Sequence, residues 1–300
     1  MFTSDVCDLG FQGCPVIGVG IGFRHKYFQK LLTLPTTELP QLDWLEFTPE
    51  NYIGFGGYSK YYLDEMFKLY PVIPHGVSLS IGSVDDFDKD YLKGLDQLLS
   101  EYNPPWFSDH LCFSSVNGYY SNDLIPLPRT IESVEHLSNR IKFLQDRFQK
   151  PFLIENISYY LEYPDNAISD HEFISLILEK ADCGLLLDMN NIYVNSINHK
   201  YDPYQYLNSL PLNRVVQVHI AGHTEYSDIV IDTHGNPVKD DVWKLLEYFL
   251  KDHNPCAVMI ERDLNLPPFE ELMAEYGKLK KIWENHRKSS AKSRKPVLKK

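Results

Sequence analysis

The sequence predicts a single-domain α/β fold, the TIM (β/α)8 barrel, on three observations. Short apolar runs alternate with longer amphipathic stretches along most of the chain. Eight such runs can be marked, the strand count of this barrel. Several are rich in Val and Ile and lack clean polar alternation, as expected of parallel strands buried on both faces.

In order, the runs are Pro15–Phe23, Asp43–Phe47, Val72–Leu79, Trp106–Phe113, Pro151–Ile157, Gly184–Met189, Arg214–Ile220 and Ala257–Arg262. Between them Tyr58–Leu69, Lys89–Glu101, Ile131–Phe148, Asp170–Lys180, Val238–Lys251 and Phe269–His286 read as helices, with Arg24–Leu32 and Pro203–Leu210 as shorter ones. Strands that alternate with helices form right-handed βαβ units. An open doubly wound sheet is the alternative, but no GxGxxG turn follows the first strand. Gly18, Gly20 and Gly22 alternate within that strand instead, which suits tight packing inside a closed barrel.

The 300 residues, 43% of them hydrophobic, supply one large core, so one catalytic domain is expected over 15–286. Residues 1–14 then form an N-terminal extension, and 287–300, rich in Lys, Ser and Arg, a basic disordered tail. Asp and Glu number 41 against 29 Lys and Arg, a net charge of -12. Such a field repels phosphate backbones and anionic bilayers, so neither nucleic acid nor membrane is an expected partner. No apolar run reaches the roughly 18 residues of a membrane span. Met1–Gly13 has no basic segment leading into an apolar one, so no signal peptide is expected and the cytoplasm is the natural location. The five cysteines, Cys7, Cys14, Cys112, Cys183 and Cys256, have no CxxC spacing and predict neither a disulfide framework nor a zinc ribbon. Three lie in apolar runs as small core residues, and Cys7 with Cys14 leaves a redox pair as a minor reading.

The informative pattern is where polar residues interrupt the strands. Near the C-terminal ends of the later runs stand His75, Asp109 with His110, Glu155 with Asn156, Asp188 followed by Asn190 and Asn191, His219 followed by His223, and Glu261. Barrel active sites are assembled at this end from several strands at once. Any one such residue has a bland reading as a satisfied core group, but six strand ends in succession do not. Asp232 and His234 follow the seventh run and, if extended, point to one side as a ligand arm; the competing reading is an Asx-type turn before Gly235 and Pro237. The candidate metal ligands are thus His75, His110, Glu155, Asp188, His219, Asp232, His234 and Glu261. One metal rarely needs more than about six ligands, so this set predicts two or three ions with bridging carboxylates. Mixed imidazole and carboxylate donors suit iron, manganese or zinc, and the residues alone do not choose among them.

Several motifs occur in one order: Gly18–Arg24, Glu46–Tyr52, His75–Gly82, Ser108–Leu111, Asn122–Pro128, Glu155–Ser158, Leu187–Val194, His219–His223, Ile231–His234 and Ile260–Asp263. Together they resemble the multinuclear non-haem iron-dependent oxidases, a family of xylose-isomerase-like TIM barrels that includes the methanobactin-biosynthesis oxidase. The resemblance covers residues 15 to 275. It implies a cluster of two or three irons, mixed Fe(II)/Fe(III), held by the eight candidate ligands. It also implies dioxygen as co-substrate and a Cys-containing precursor peptide as substrate, whose thiolate binds iron. A small partner protein that recognises the peptide leader is implied as well. Phe47-Thr48-Pro49 departs from a polar stretch common in relatives, so substrate choice does not follow from the resemblance. Asn156, Asn191 and His223 are candidates to orient ligands, and Arg24 and Arg262 to meet a substrate carboxylate or balance the acidic mouth. The competing classes are a divalent-metal-dependent isomerase or hydrolase on a related barrel, and a metal- or peptide-binding protein without turnover.

Overall fold

Eight parallel strands close on one another in chain order: β1 Gly18–Gly22, β2 Trp44–Phe47, β3 Val72–Gly76, β4 Phe107–His110, β5 Phe152–Glu155, β6 Gly184–Asp188, β7 Val215–Ile220 and β8 Ala257–Ile260. The computed structural model describes residues 11, 13–33, 41–54 and 56–293. β1 closes the cylinder by pairing with β2 on one side and β8 on the other. Every residue of the eight strands is buried, which is why their sequences read as apolar runs rather than alternating ones.

Alternation of side chains across each strand divides the core in two. Leu45, Ile154, Leu187, Val218 and Ile260 face outward and pack with the surrounding helices. Trp44, Ile73, Trp106, Leu153, Leu186, Val216 and Met259 fill the lower barrel. Gly20 makes room for this filling: a Cβ there would lie 2.5 Å from the Trp44 indole. Two residues further along several strands, on the same inward face, come the polar groups: Glu46 after Trp44, His75 after Ile73, Glu155 after Leu153, Asp188 after Leu186 and Glu261 after Met259. An apolar plug below thus carries a polar layer above.

The helices α1 His25–Thr33, α2 Gly57–Phe67, α3 Lys89–Tyr102, α4 Ile131–Phe148, α5 Asp170–Ala181, α6 Met189–His199, α7 Pro203–Ser209, α8 Asp240–Leu250 and α9 Phe269–Ser293 complete the fold. Their ends follow local chemistry. Thr130 caps α4 by accepting from the Ser133 N–H, and Gln149 ends it in the left-handed region.

Three features differ from the sequence expectation. The run Trp106–Phe113 is not one strand; β4 stops at His110, and Phe113–Val116 pairs antiparallel with Tyr119–Ile125 as a hairpin. The run Val72–Leu79 is strand only to Gly76. Helix α6 was not expected, because Asn-rich MNNIYVNSINH has weak helix propensity; Asp188 starts it by capping the Asn191 N–H. Cys14, Cys112 and Cys183 are free and buried, and Cys7 lies outside the described residues. So do most of the expected extension over 1–14 and the chain from 294 on, while α9 runs past the expected boundary at 286 to Ser293. No helix among the described residues is long and apolar enough to cross a membrane.

Candidate metal centre

All eight sequence-selected residues meet at the C-terminal mouth of the barrel, in three overlapping groups. The first joins β3, β4 and β5. His75 Nε2 and His110 Nε2 lie 3.3 Å apart, and Glu155 Oε2 is 2.9 Å from the former and 3.1 Å from the latter. The far nitrogens of both rings are engaged: His75 Nδ1 with Ser108 Oγ at 2.9 Å and His110 Nδ1 with the Gly76 carbonyl at 3.0 Å. A carbonyl only accepts, so His110 carries its hydrogen on Nδ1 and, when neutral, turns the Nε2 lone pair to the centre.

The second group is Glu155, Asp188, His219 and Glu261, whose donor atoms all lie within 4.8 Å of one another. His219 Nδ1 is 3.1 Å from Glu261 Oε2 and 3.8 Å from Glu155 Oε1. The third group adds the loop after β7. His234 Nδ1 is 2.9 Å from Asp263 Oδ2 and 3.4 Å from Glu261 Oε2, and His234 Nε2 is 2.8 Å from Asp232 Oδ1. Of the two readings of this arm, extended or turned, the backbone at His234 is turned. His234 has φ 49°, in the left-handed region, so local turn geometry rather than strand periodicity brings Asp232 and His234 together.

The donors fit cations better than they fit each other. Glu155 Oε2, Asp188 Oδ2, Asn191 Oδ1 and His234 Nε2 are buried with no hydrogen-bond partner among the described residues. Each such orphan costs on the order of 1–3 kcal/mol. Glu155 Oε2 and His234 Nε2 lie close to potential partners yet form no hydrogen bond, as atoms facing a common point do. Burial together with the charges of Glu155 and Asp232 pushes the Asp188 carboxyl well above its ordinary range. Burial opposes the charged forms of Glu155 and His75, but their mutual attraction outweighs it: Glu155, which also faces His110, is drawn down to about 2, and His75 up to about 9. Buried acids of this density call for compensating positive charge.

The surrounding residues brace the donors. Asn156 accepts from the Asp188 N–H at 2.9 Å and donates to its carbonyl at 3.0 Å, which fixes the end of β6. His223 does not touch a candidate ligand; it meets Asn190 Oδ1 through Nδ1 at 2.8 Å, and the Asn190 amide donates to Asp232 at 2.6 Å. Arg24 pairs with Asp263 and stands 3.7 Å from Glu261, balancing the acidic mouth. Arg262 turns away to Glu275. Asp109 lies beside His110 but on the opposite face of β4, where it accepts from the Leu79 and His110 N–H groups.

Three residues were underweighted by sequence reasoning. Asn191 was considered only as an orienting group, yet its Oδ1 is a buried acceptor with no hydrogen-bond partner among the described residues. Asp263 joins the third group, two residues after Glu261. Glu46 stands two residues after Trp44, the same inward spacing that Glu155 has after Leu153, and that period is the signal that could have found it. Above the donors opens a cavity of about 610 Å³, lined also by Asn51, Ser78, Tyr120, Asn122 and Thr233.

Comparison with known proteins agrees with this architecture. The chain is 40% identical over 276 residues to a UPF0276 protein of Caulobacter vibrioides, covering 92% of this chain and 98% of that one. It is 43% identical over 258 residues to a UPF0276 protein of Acaryochloris marina, covering 86% and 92%. Among solved structures, an L-ribulose 3-epimerase superposes with TM-score 0.57 at 12% identity, covering 94% of this chain and 99% of that one. Endonuclease IV from Thermus thermophilus superposes with TM-score 0.55 at 13% identity, covering 89% and 98%. At such identities these two show a shared (β/α)8 barrel fold and nothing of chemistry. A sequence profile of the RiPP precursor modification enzymes MbnB/TglH/ChrH matches residues 18–284. On that match and the identity with its UPF0276 relatives, the chain belongs to the MbnB/TglH/ChrH family of RiPP precursor modification enzymes.

Proposed function

We propose that this chain is a multinuclear, dioxygen-dependent iron oxidase that modifies a cysteine of a ribosomally synthesised precursor peptide, helped by a small partner protein that recognises the leader. One observation carries the multinuclear reading: Glu155 belongs to both the first and second donor groups, and Glu261 to both the second and third. Carboxylates shared in this way suit bridges between neighbouring cations. In this reading His75, His110 and Glu155 hold one ion; Glu155, Asp188, His219 and Glu261 a second; and His234, Asp232 and Glu261, with Asn191 or Asp263, a third. Imidazole and carboxylate donors without a protein thiolate leave coordination free for a soft ligand from the substrate.

Bound iron would supply coordination for a deprotonated thiol and electrons for dioxygen reduction. The chain's own residues do the rest. Ser108 and the Gly76 carbonyl hold the His75 and His110 rings in orientation. The cavity above the donors admits a side chain with its adjoining backbone, and Arg24 at its edge offers positive charge to a peptide carbonyl. The hairpin strand Tyr119–Ile125 contributes Tyr120 and Asn122 to the cavity wall, a polar and aromatic surface for the flanking peptide.

The test is reconstitution of the full-length protein with ferrous iron under anaerobic conditions. Metal stoichiometry and oxygen uptake are then measured with a Cys-containing peptide and its Ser counterpart. The expected result is more than one iron per chain and uptake that requires the Cys peptide. Failure to bind iron, or oxygen-independent sugar epimerisation by the zinc or manganese form, would overturn the reading.

A further inference from the structure

We infer that Glu46 is a positioning residue for the metal centre: by accepting the Nε2–H of His219, it commits the opposite nitrogen, Nδ1, to the cation. The inference rests on the reading of the barrel mouth as a metal site and goes beyond it, because Glu46 belongs to none of the three donor groups.

His219 is turned the other way from its neighbours. His75 and His110 direct Nε2 to the centre and engage Nδ1 elsewhere. His219 directs Nδ1 to Glu261 and Glu155 and points Nε2 down into the barrel. To serve as a ligand through Nδ1, a neutral ring must carry its hydrogen on Nε2, and a buried hydrogen of this kind needs an acceptor. Glu46 Oε2 lies 3.0 Å from Nε2, and the two side chains are 2% and 0% exposed.

The layer below fixes the acceptor in turn. Trp106, which can only donate, gives its Nε1–H to Gln217 Oε1 at 2.8 Å. This orients the Gln217 amide so that its NH2 meets Glu46 Oε2 at 2.6 Å; the same nitrogen lies 2.8 Å from His219 Nε2. With Nε2 as donor, the Glu46 oxygen receives Gln217 and His219 together, and this charged acceptor offsets the close approach of the two donor nitrogens. With Nε2 as acceptor, Gln217 would donate to it and Nδ1–H would go to Glu261, which a cation at Nδ1 forbids. Without Glu46, the ring is free to place its hydrogen on Nδ1 and give it to Glu261, which removes both from the donor set.

The test uses the full-length protein and zinc(II) as probe, so neither iron, dioxygen nor peptide is needed. Nitrogen-15 NMR of histidine-labelled protein reports which ring nitrogen of His219 carries hydrogen, with its signals assigned by their loss in His219→Gln. The expected wild-type zinc form has hydrogen on Nε2 and an unprotonated Nδ1. Glu46→Ala should lower zinc affinity roughly tenfold to a hundredfold and, at a pH high enough for the metal-free ring to be neutral, move its hydrogen to Nδ1. Glu46→Gln keeps an acceptor oxygen and should retain the Nε2–H form with a smaller loss. Hydrogen on Nδ1 in the wild-type zinc form, unchanged affinity in Glu46→Ala, or equal losses in the two variants would each overturn the inference. Should Glu46→Ala not fold, the wild-type spectrum and Glu46→Gln decide it. A protein that binds zinc through His219 Nδ1 yet takes up no oxygen in its iron form would sink the proposed oxidase and leave this inference standing.

Discussion

Asp232 Oδ1 stands 2.8 Å from His234 Nε2, and that nitrogen makes no hydrogen bond among the described residues. The His234 backbone is held at φ 49°, with its carbonyl accepting from the Asp263 N–H at 3.1 Å. A non-glycine residue in this region stores roughly 1–3 kcal/mol. The strain aims the ring inward over the barrel mouth.

Removal of either His234 or Asp188 should therefore deplete metal without unfolding the barrel. His234→Ala and Asp188→Ala are expected to lower bound metal per chain and to retain the far-ultraviolet circular dichroism of the parent. Asp188→Ala also removes the cap of α6, worth about 1 kcal/mol. Full metal content in either variant would take that residue out of the site.

Stability of the metal-free protein should fall as pH rises from about 6.5 to about 9. His75 is raised to about 9, burial being outweighed by Glu155, and Asp109 to about 8 by burial and the Glu50 charge. A group whose folded pKa is raised contributes stability below its unfolded value and loses it as pH passes the folded value. Each group contributes at most about 1.4 kcal/mol per pH unit. Zinc bound at His75 would replace that proton, so the loaded protein should show a shallower fall. Melting temperatures across this range check both; a rising trend in the metal-free protein would contradict the assignment.

Gly20→Ala should destabilise the fold by about 1–3 kcal/mol, the usual cost of overpacking a core. The added Cβ would meet the fully buried Trp44 indole at 2.5 Å. Denaturant titration measures it; an unchanged midpoint would show that Trp44 can move.

Tyr120→Ala should raise the Michaelis constant for the peptide severalfold and leave metal content unchanged. Tyr120 is 62% exposed on the hairpin and lines the cavity without belonging to the donor groups. Steady-state oxygen uptake over a peptide series, beside metal analysis, separates the two effects. Loss of metal in this variant would place Tyr120 in the wrong role.

Much of this was legible in the chain. Apolar runs such as Leu185-Leu186-Leu187 announce strands buried on both faces, and the acid or imidazole that ends each one announces the mouth. The inward direction of Glu155 and Asp188, two residues beyond Leu153 and Leu186, is set by local strand geometry and appears once the strands are placed. What failed was local too. α6 forms from a poor helix sequence because Asp188 caps it and the barrel packs it, and the hairpin after β4 was hidden inside one apolar run.

The barrel, its eight strands and the polar side chains that end them could be read along the chain, because strand period and burial act over a few neighbouring residues. Closure of the barrel set the rest: which of these side chains come within reach of one another, that His219 turns its Nδ1 rather than its Nε2 toward Glu261 and Glu155, and that Glu46 meets that Nε2. Those facts depend on distances between side chains from different strands, as between Glu46 and His219 across the barrel interior, and closure of the cylinder sets them.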